Sequence, residues 1–196
     1  MNLQFLGDAL DHWKGSVFEE LQKSNLLYNF KVDLLASDAN YWQQKDYNIF
    51  SQLLRIFPDQ IIAHQHTLQS DRKSYFQEIP GYGDLFLDPD TGIKTGSVKD
   101  EYQYLFPSEL FNLLNKDNKR LIIVYQHVRA QKVRNRVEQV LNVLQKHQST
   151  YFCTSYDSGT VSLLFFSLDR QRIQNITAHY RAFLGRHADN RIGQWI

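Results

Sequence analysis

An aspartate and a proline at the end of an apolar run stand out in this chain of 196 residues: Asp84-Leu-Phe-Leu leads directly into Asp88-Pro89-Asp90-Thr91-Gly92. In open α/β sheets ligands gather beyond the carboxyl ends of the strands, so a tight acidic loop there is placed to hold a substrate. The Asp88 carboxylate can accept hydrogen bonds from a substrate amine. The Pro89 carbonyl can accept another, since proline brings no N–H of its own into the turn. Asp90 extends the same acidic rim. The residues equally suit an Asx turn in which Asp88 bonds its own backbone.

A second constellation is Gly7-Asp8-Ala9-Leu10-Asp11-His12-Trp13-Lys14. Asp8 suits a helix N-cap, and Asp11 suits the positive end of the helix dipole. Asp11 and Lys14 are one turn apart and share a face. A third is Tyr125-Gln126-His127 at a strand end, followed by Arg129, Lys132 and Arg136 at helical spacing. His127 has the chemistry of a base or ligand. The three cations form a stripe suited to phosphates, or simply a solvated face. His64 and His66 have strand spacing, but no evident carboxylate completes a metal set. The chain contains no P-loop, HExxH or GxSxG motif.

The elements that must position these residues follow from hydropathy periodicity. Helices are predicted over 8–23, 45–57, 70–79, 108–114, 131–146 and 169–184, and strands over 30–36, 60–64, 84–87 and 120–127. Residues 150–156 and 160–167 flank Asp157-Ser158-Gly159 as a β-hairpin. Strands alternating with helices predict an α/β fold with a mostly parallel sheet, helices on both faces and a C-terminal antiparallel hairpin. With no linker or repeat, residues 1–196 read as one domain.

Composition narrows the class. With 42% hydrophobic and 22% charged residues, the chain is globular rather than disordered or fibrous. No apolar stretch approaches the roughly 20 residues needed to span a bilayer. The opening segment has two acids and no base before Lys14, unlike a secretory signal. A lone Cys153 leaves no internal disulfide, and no CxxC offers a cysteine-based zinc site. The expectation is a cytoplasmic protein with no membrane partner and no resident metal. Net charge is +1, but residues 1–115 hold 9 basic against 16 acidic residues (−7) and residues 116–196 hold 13 against 5 (+8). That asymmetry points to an anionic partner, nucleic acid, on the second half, or to neutralisation within one fold.

On these residues the chain resembles the class I S-adenosylmethionine-dependent methyltransferases. Within that class its nearest analogy is the bacterial 23S rRNA adenine-N6 methyltransferases, with three-Cys-motif partner proteins more distant, and it more closely resembles bacterial proteins that carry a D-P-D-N-G-like motif. Gly7-Asp8-x-x-Asp11-x-x-Lys14 is similar to the pattern in that family's first helix. Asp88-Pro89-Asp90-Thr91 stands at its Asp-Pro-Pro-aromatic motif. The resemblance implies a Rossmann-like domain with S-adenosylmethionine near Asp33, Ala36, Ser37, Asp38, Gly7 and Asp11. It also implies a catalytic group of Asp88, Pro89, Asp90 and Lys14 holding an exocyclic amine, with His127, Arg129, Lys132 and Arg136 toward nucleic acid.

Asp90-Thr91 replaces the family's proline and aromatic residue, and residues 33–38 lack its glycines. These departures keep open a catalytically inactive binding protein on the same scaffold. A further alternative is a magnesium-dependent nuclease using Asp88, Asp90 and Glu101, with Lys94 or His127 near the scissile phosphate.

Overall fold

The computed structural model describes residues 3–37, 42–128 and 131–195. Its helices are α1 (Ala9–Lys23), α2 (Gln44–Leu53), α3 (Arg72–Glu78), α4 (Pro107–Leu114), α5 (Val133–His147) and α6 (Arg170–Leu184). Its strands are β1 (Lys31–Asp33), β2 (Leu85–Leu87), β3 (Gly92–Ile93), β4 (Tyr104–Leu105), β5 (Ile122–His127), β6 (Phe152–Asp157), β7 (Val161–Ser167) and β8 (Ile192–Gln194). Six strands form one sheet in the order β1-β2-β5-β7-β6-β8, and β3 pairs with β4 separately.

The fold is α/β, but the sheet is mixed rather than mostly parallel. β1, β2 and β5 pair in parallel, whereas β7, β6 and β8 join antiparallel. Two local events shift the balance. The strand expected over 60–64 does not form: Gln60 caps the Phe57 N–H and donates to the Phe30 carbonyl, leaving Ile61 one parallel bridge to Val32. At the other edge, β8 follows a 3₁₀ turn (Gly185–Asn190) that carried no strand signal. β1 is also shorter than 30–36, because Asp33 Oδ1 accepts the Leu35 N–H and Leu35 turns to φ 43°, out of the sheet. The hairpin of β6 and β7 forms as expected.

Strand alternation sends side chains to two cores, one on each face. Val32, Phe86, Ile123 and Phe165 pack with Phe18 and Leu21 of α1, Phe50 of α2 and Ile176 of α6. Leu85, Leu87, Val124 and Phe166 pack with Tyr75 of α3, Leu110 of α4 and Val140 and Leu144 of α5. Helices thus cover both faces, and β2 and β5 are buried throughout their apolar length.

α1 and α2 meet through backbone. A Cβ placed at Gly15 would collide with the Leu53 carbonyl oxygen. Gly15→Ala is expected to destabilise the protein by about 2 kcal/mol, because overpacking outweighs the roughly 1 kcal/mol that alanine gains in helix propensity. Urea unfolding reads the effect, and an unchanged or higher midpoint would mean that the helices do not touch there.

Candidate active site

α1 starts near the carboxyl end of β2 because of how its first turn is tied. Asp8 accepts from the Leu10 and Asp11 N–H groups (2.8 and 3.1 Å), a carboxylate N-cap. The Gly7 N–H in turn donates to Asp11 Oδ2 (2.9 Å). One turn on, Lys14 Nζ reaches Asp11 Oδ1 at 3.1 Å and Asp88 Oδ2 at 2.8 Å. The ammonium also sits 4.6 Å from the centroid of the Tyr125 ring, a cation–π distance.

All three charged groups are buried, with Asp11 1%, Lys14 4% and Asp88 2% exposed. Two carboxylates against one ammonium leave an excess negative charge. Burial works against the charge on Lys14, but Asp88 and Asp11 more than offset it, and the pKa rises above the ordinary lysine value. Burial pushes Asp88 above the ordinary carboxylate value, with Lys14 opposing.

The turn after β2 is held from three sides. The Asp88 N–H donates to the Asp33 carbonyl (3.0 Å), and the Ser37 hydroxyl donates to Asp90. From β5, the buried Gln126 amide accepts from the Ile93 N–H (2.9 Å) and donates to the Thr91 carbonyl (3.1 Å). Gly92, at φ 117°, lies against that amide so closely that a Cβ would overlap it. Arg136 donates to Thr95 Oγ1 (2.8 Å) and the Ile93 carbonyl (3.3 Å), bracing the chain just beyond.

These pieces border an open cavity of about 380 Å³, within the range of small-molecule sites. Asp8, Asp11 and Lys14 line one side, and Asp88, Pro89 and Asp90 another. Tyr125 and His127 contribute from β5, and Phe5, 53% exposed, stands at the lip. The lining is rich in carboxylates and suits a cationic or amine-bearing ligand.

The structure therefore gathers Asp88, Pro89, Asp90, Lys14, Asp11 and His127 around one space. It does not bring Gly7, Asp33, Ala36, Ser37, Lys132 or Arg136 into that lining. Gly7 supports Asp11 through its backbone. The Asp33 carboxylate is fully buried and turned to Tyr75 Oη (2.5 Å), the Leu35 N–H and His64 Nε2 (2.9 Å). Ser37 supports Asp90 from outside the cavity, and Ala36 immediately precedes Ser37 in the chain. Arg136 braces β3, while Lys132 is exposed at the start of α5. Asp38 and Arg129 lie outside the described residues.

Sequence reasoning missed Phe5, and within Tyr125-Gln126-His127 it read a role only for His127. Alternation along β5 placed Tyr125 and His127 on one face and Gln126 on the other, but its partner Gly92 was 34 positions away. It also missed the carboxylates near His64 and His66, because Glu78 arrives from α3 across a loop. Among the described residues no group of three or more His, Cys, Asp or Glu side chains is arranged to hold a metal ion. Asp88, Asp90 and Glu101, the candidate magnesium ligands, pair separately with Lys14, Ser37 and Lys94. No described helix is long and apolar enough to cross a membrane.

Fold and site together define an α/β protein with a buried carboxylate–lysine cluster beside a cavity at the carboxyl ends of parallel strands. Neither protein-family models nor curated proteins yield a match to the chain.

Proposed function

We propose that the protein is a methyltransferase-fold enzyme that transfers a methyl group from S-adenosylmethionine to an amine carried by a nucleic acid or nucleotide-like substrate. The observation that carries this reading is the convergence of the Asp88-Pro89-Asp90 turn with the Asp11–Lys14 turn of α1 on one cavity. The donor set fits at the reacting end, because Asp8, Asp11 and Asp88 suit a ligand bearing a sulfonium and an amine. Asp33, Ala36 and Ser37 do not line that space, so the fit rests on the α1 side.

When bound, the cofactor supplies an electrophilic methyl group. The chain's own residues orient the acceptor. Asp88 and the Pro89 carbonyl accept hydrogen bonds from the two amine N–H groups, which leaves the nitrogen lone pair aimed into the cavity. Lys14 fixes the carboxylate in place and favours its ionised form. Burial makes Asp88 more basic than an exposed aspartate, which suits it to take hydrogen-bond density from the amine. Positioning of this kind accounts for a large part of such a rate. The nucleic-acid part of the reading draws on the +8 second half.

Calorimetric titration with S-adenosylhomocysteine tests the cofactor, with saturable heat expected. Methyl transfer to RNA or nucleotides is expected to fall at least about 100-fold in Asp88→Asn, with binding of the cofactor product retained. A folded protein that gives no heat at millimolar ligand removes the cofactor claim. It would leave the non-catalytic binding reading, which the committed contacts of Asp33 and Ser37 favour.

A further inference from the structure

Behind the cavity, on the α3 side of β1, His64 lies between two carboxylates. Its Nε2 is 2.9 Å from Asp33 Oδ2 and its Nδ1 is 3.0 Å from Glu78 Oε2. The ring stacks on Tyr75 at 3.7 Å between centroids and 12° between planes, so it has one plane in which to bond. A neutral imidazole carries a single N–H, whereas both neighbours here are acceptors. Only the imidazolium satisfies both contacts.

The segment that His64 anchors is linked to the cavity. Gln69, in the loop leading to α3, donates to the Ser37 carbonyl (2.7 Å), and the Ser37 hydroxyl donates to Asp90 at the cavity rim. Glu78 also accepts from the Gln65 N–H (2.9 Å) and contacts His66. We propose that His64 is a protonation-dependent strut: as the imidazolium it ties the end of β1 to α3, and on losing its proton it releases Glu78 and loosens residues 65–78.

The direction of release follows from burial. Asp33 is fully buried and Glu78 is partly exposed, so the remaining proton stays on Nε2 toward Asp33, and water takes over the Glu78 contact. The groups around the ring all bear on its charge. Asp33 faces it from β1, and Tyr75 and Glu78 face it from α3. His66 shares Glu78, while Tyr47 of α2 interacts with Asp33 and Tyr75, and Asp46 of α2 with Tyr47. Burial disfavours the imidazolium, but Asp33 and then Glu78 outweigh it, so the pKa is raised above the ordinary histidine value. The strut's contribution to stability is thus complete below about pH 6.5, the unfolded histidine value, and is lost as pH rises through the higher folded value.

NMR titration of the full chain tests this without any substrate. His64 is expected to titrate above the ordinary histidine value, with both ring N–H groups bonded at low pH. Amide exchange over residues 65–78, corrected for intrinsic base catalysis, is expected to quicken about tenfold as pH passes the His64 midpoint. In Glu78→Gln the amide can donate to a neutral Nδ1, so the midpoint should fall and the exchange step disappear. A wild-type midpoint at or below the ordinary value overturns the proposal. Corrected exchange that ignores pH across the midpoint does the same, and neither result bears on the methyl-transfer reading.

Discussion

Replacing Lys14 with methionine is expected to destabilise the protein by about 3–5 kcal/mol at pH 7, the cost of stripping buried charges of their partner. The ammonium stands between Asp11 and Asp88, both almost fully buried. Methionine matches much of the lysine volume and keeps the contact with Tyr125, so the loss is mainly electrostatic. Without the cation that opposes it, burial raises the folded Asp88 carboxyl further above its unfolded value. The folded variant then binds more protons than the unfolded chain, and its deficit shrinks as pH falls. Adding Asp88→Asn to Lys14→Met removes one of the stranded charges, and at least about 1 kcal/mol should return. Urea midpoints at pH 7.5 and pH 5 provide the comparison. A loss below about 1 kcal/mol for Lys14→Met would mean that water already solvates the cluster.

Gly92→Ala is expected to cost about 3 kcal/mol. A non-glycine residue at φ 117° is strained by roughly 1–3 kcal/mol, and the added Cβ falls on the Gln126 amide. Relief requires Gln126 to leave the Ile93 N–H and Thr91 carbonyl, which unpairs buried backbone. The Asp88–Asp90 turn should therefore shift before the rest of the fold fails. Thermal unfolding measures the stability term, and amide chemical shifts of residues 88–93 report the turn. Wild-type stability with unchanged shifts would show that the clamp is not tight.

The sequence made the turn and its chemistry legible because both are local. Asp88-Pro89 follows an apolar run, and Asp11 and Lys14 lie one helical turn apart. The two-sided helical cover was legible for the same reason, since amphipathic period and strand alternation are short-range properties. Residues whose role is set by distant partners were not. Gln126 reads as an ordinary polar residue in a strand until Gly92 is folded against it. Asp33 reads as a candidate ligand residue until Tyr75 and His64 occupy its carboxylate. β8 has only three paired residues after a 3₁₀ turn, too few for a periodic signal. Sheet direction is likewise a property of pairing, which hydropathy does not encode.

The split sheet also separates two kinds of chain closure. β6 and β7 meet across a tight turn at Asp157-Ser158-Gly159, whereas β1, β2 and β5 align only when residues near 31, 85 and 122 find one another. Loop-closure entropy favours the near pairing first. The hairpin half can thus assemble from neighbours alone. The cavity, set wholly on the long-range half, takes shape only once the last distant segments have arrived.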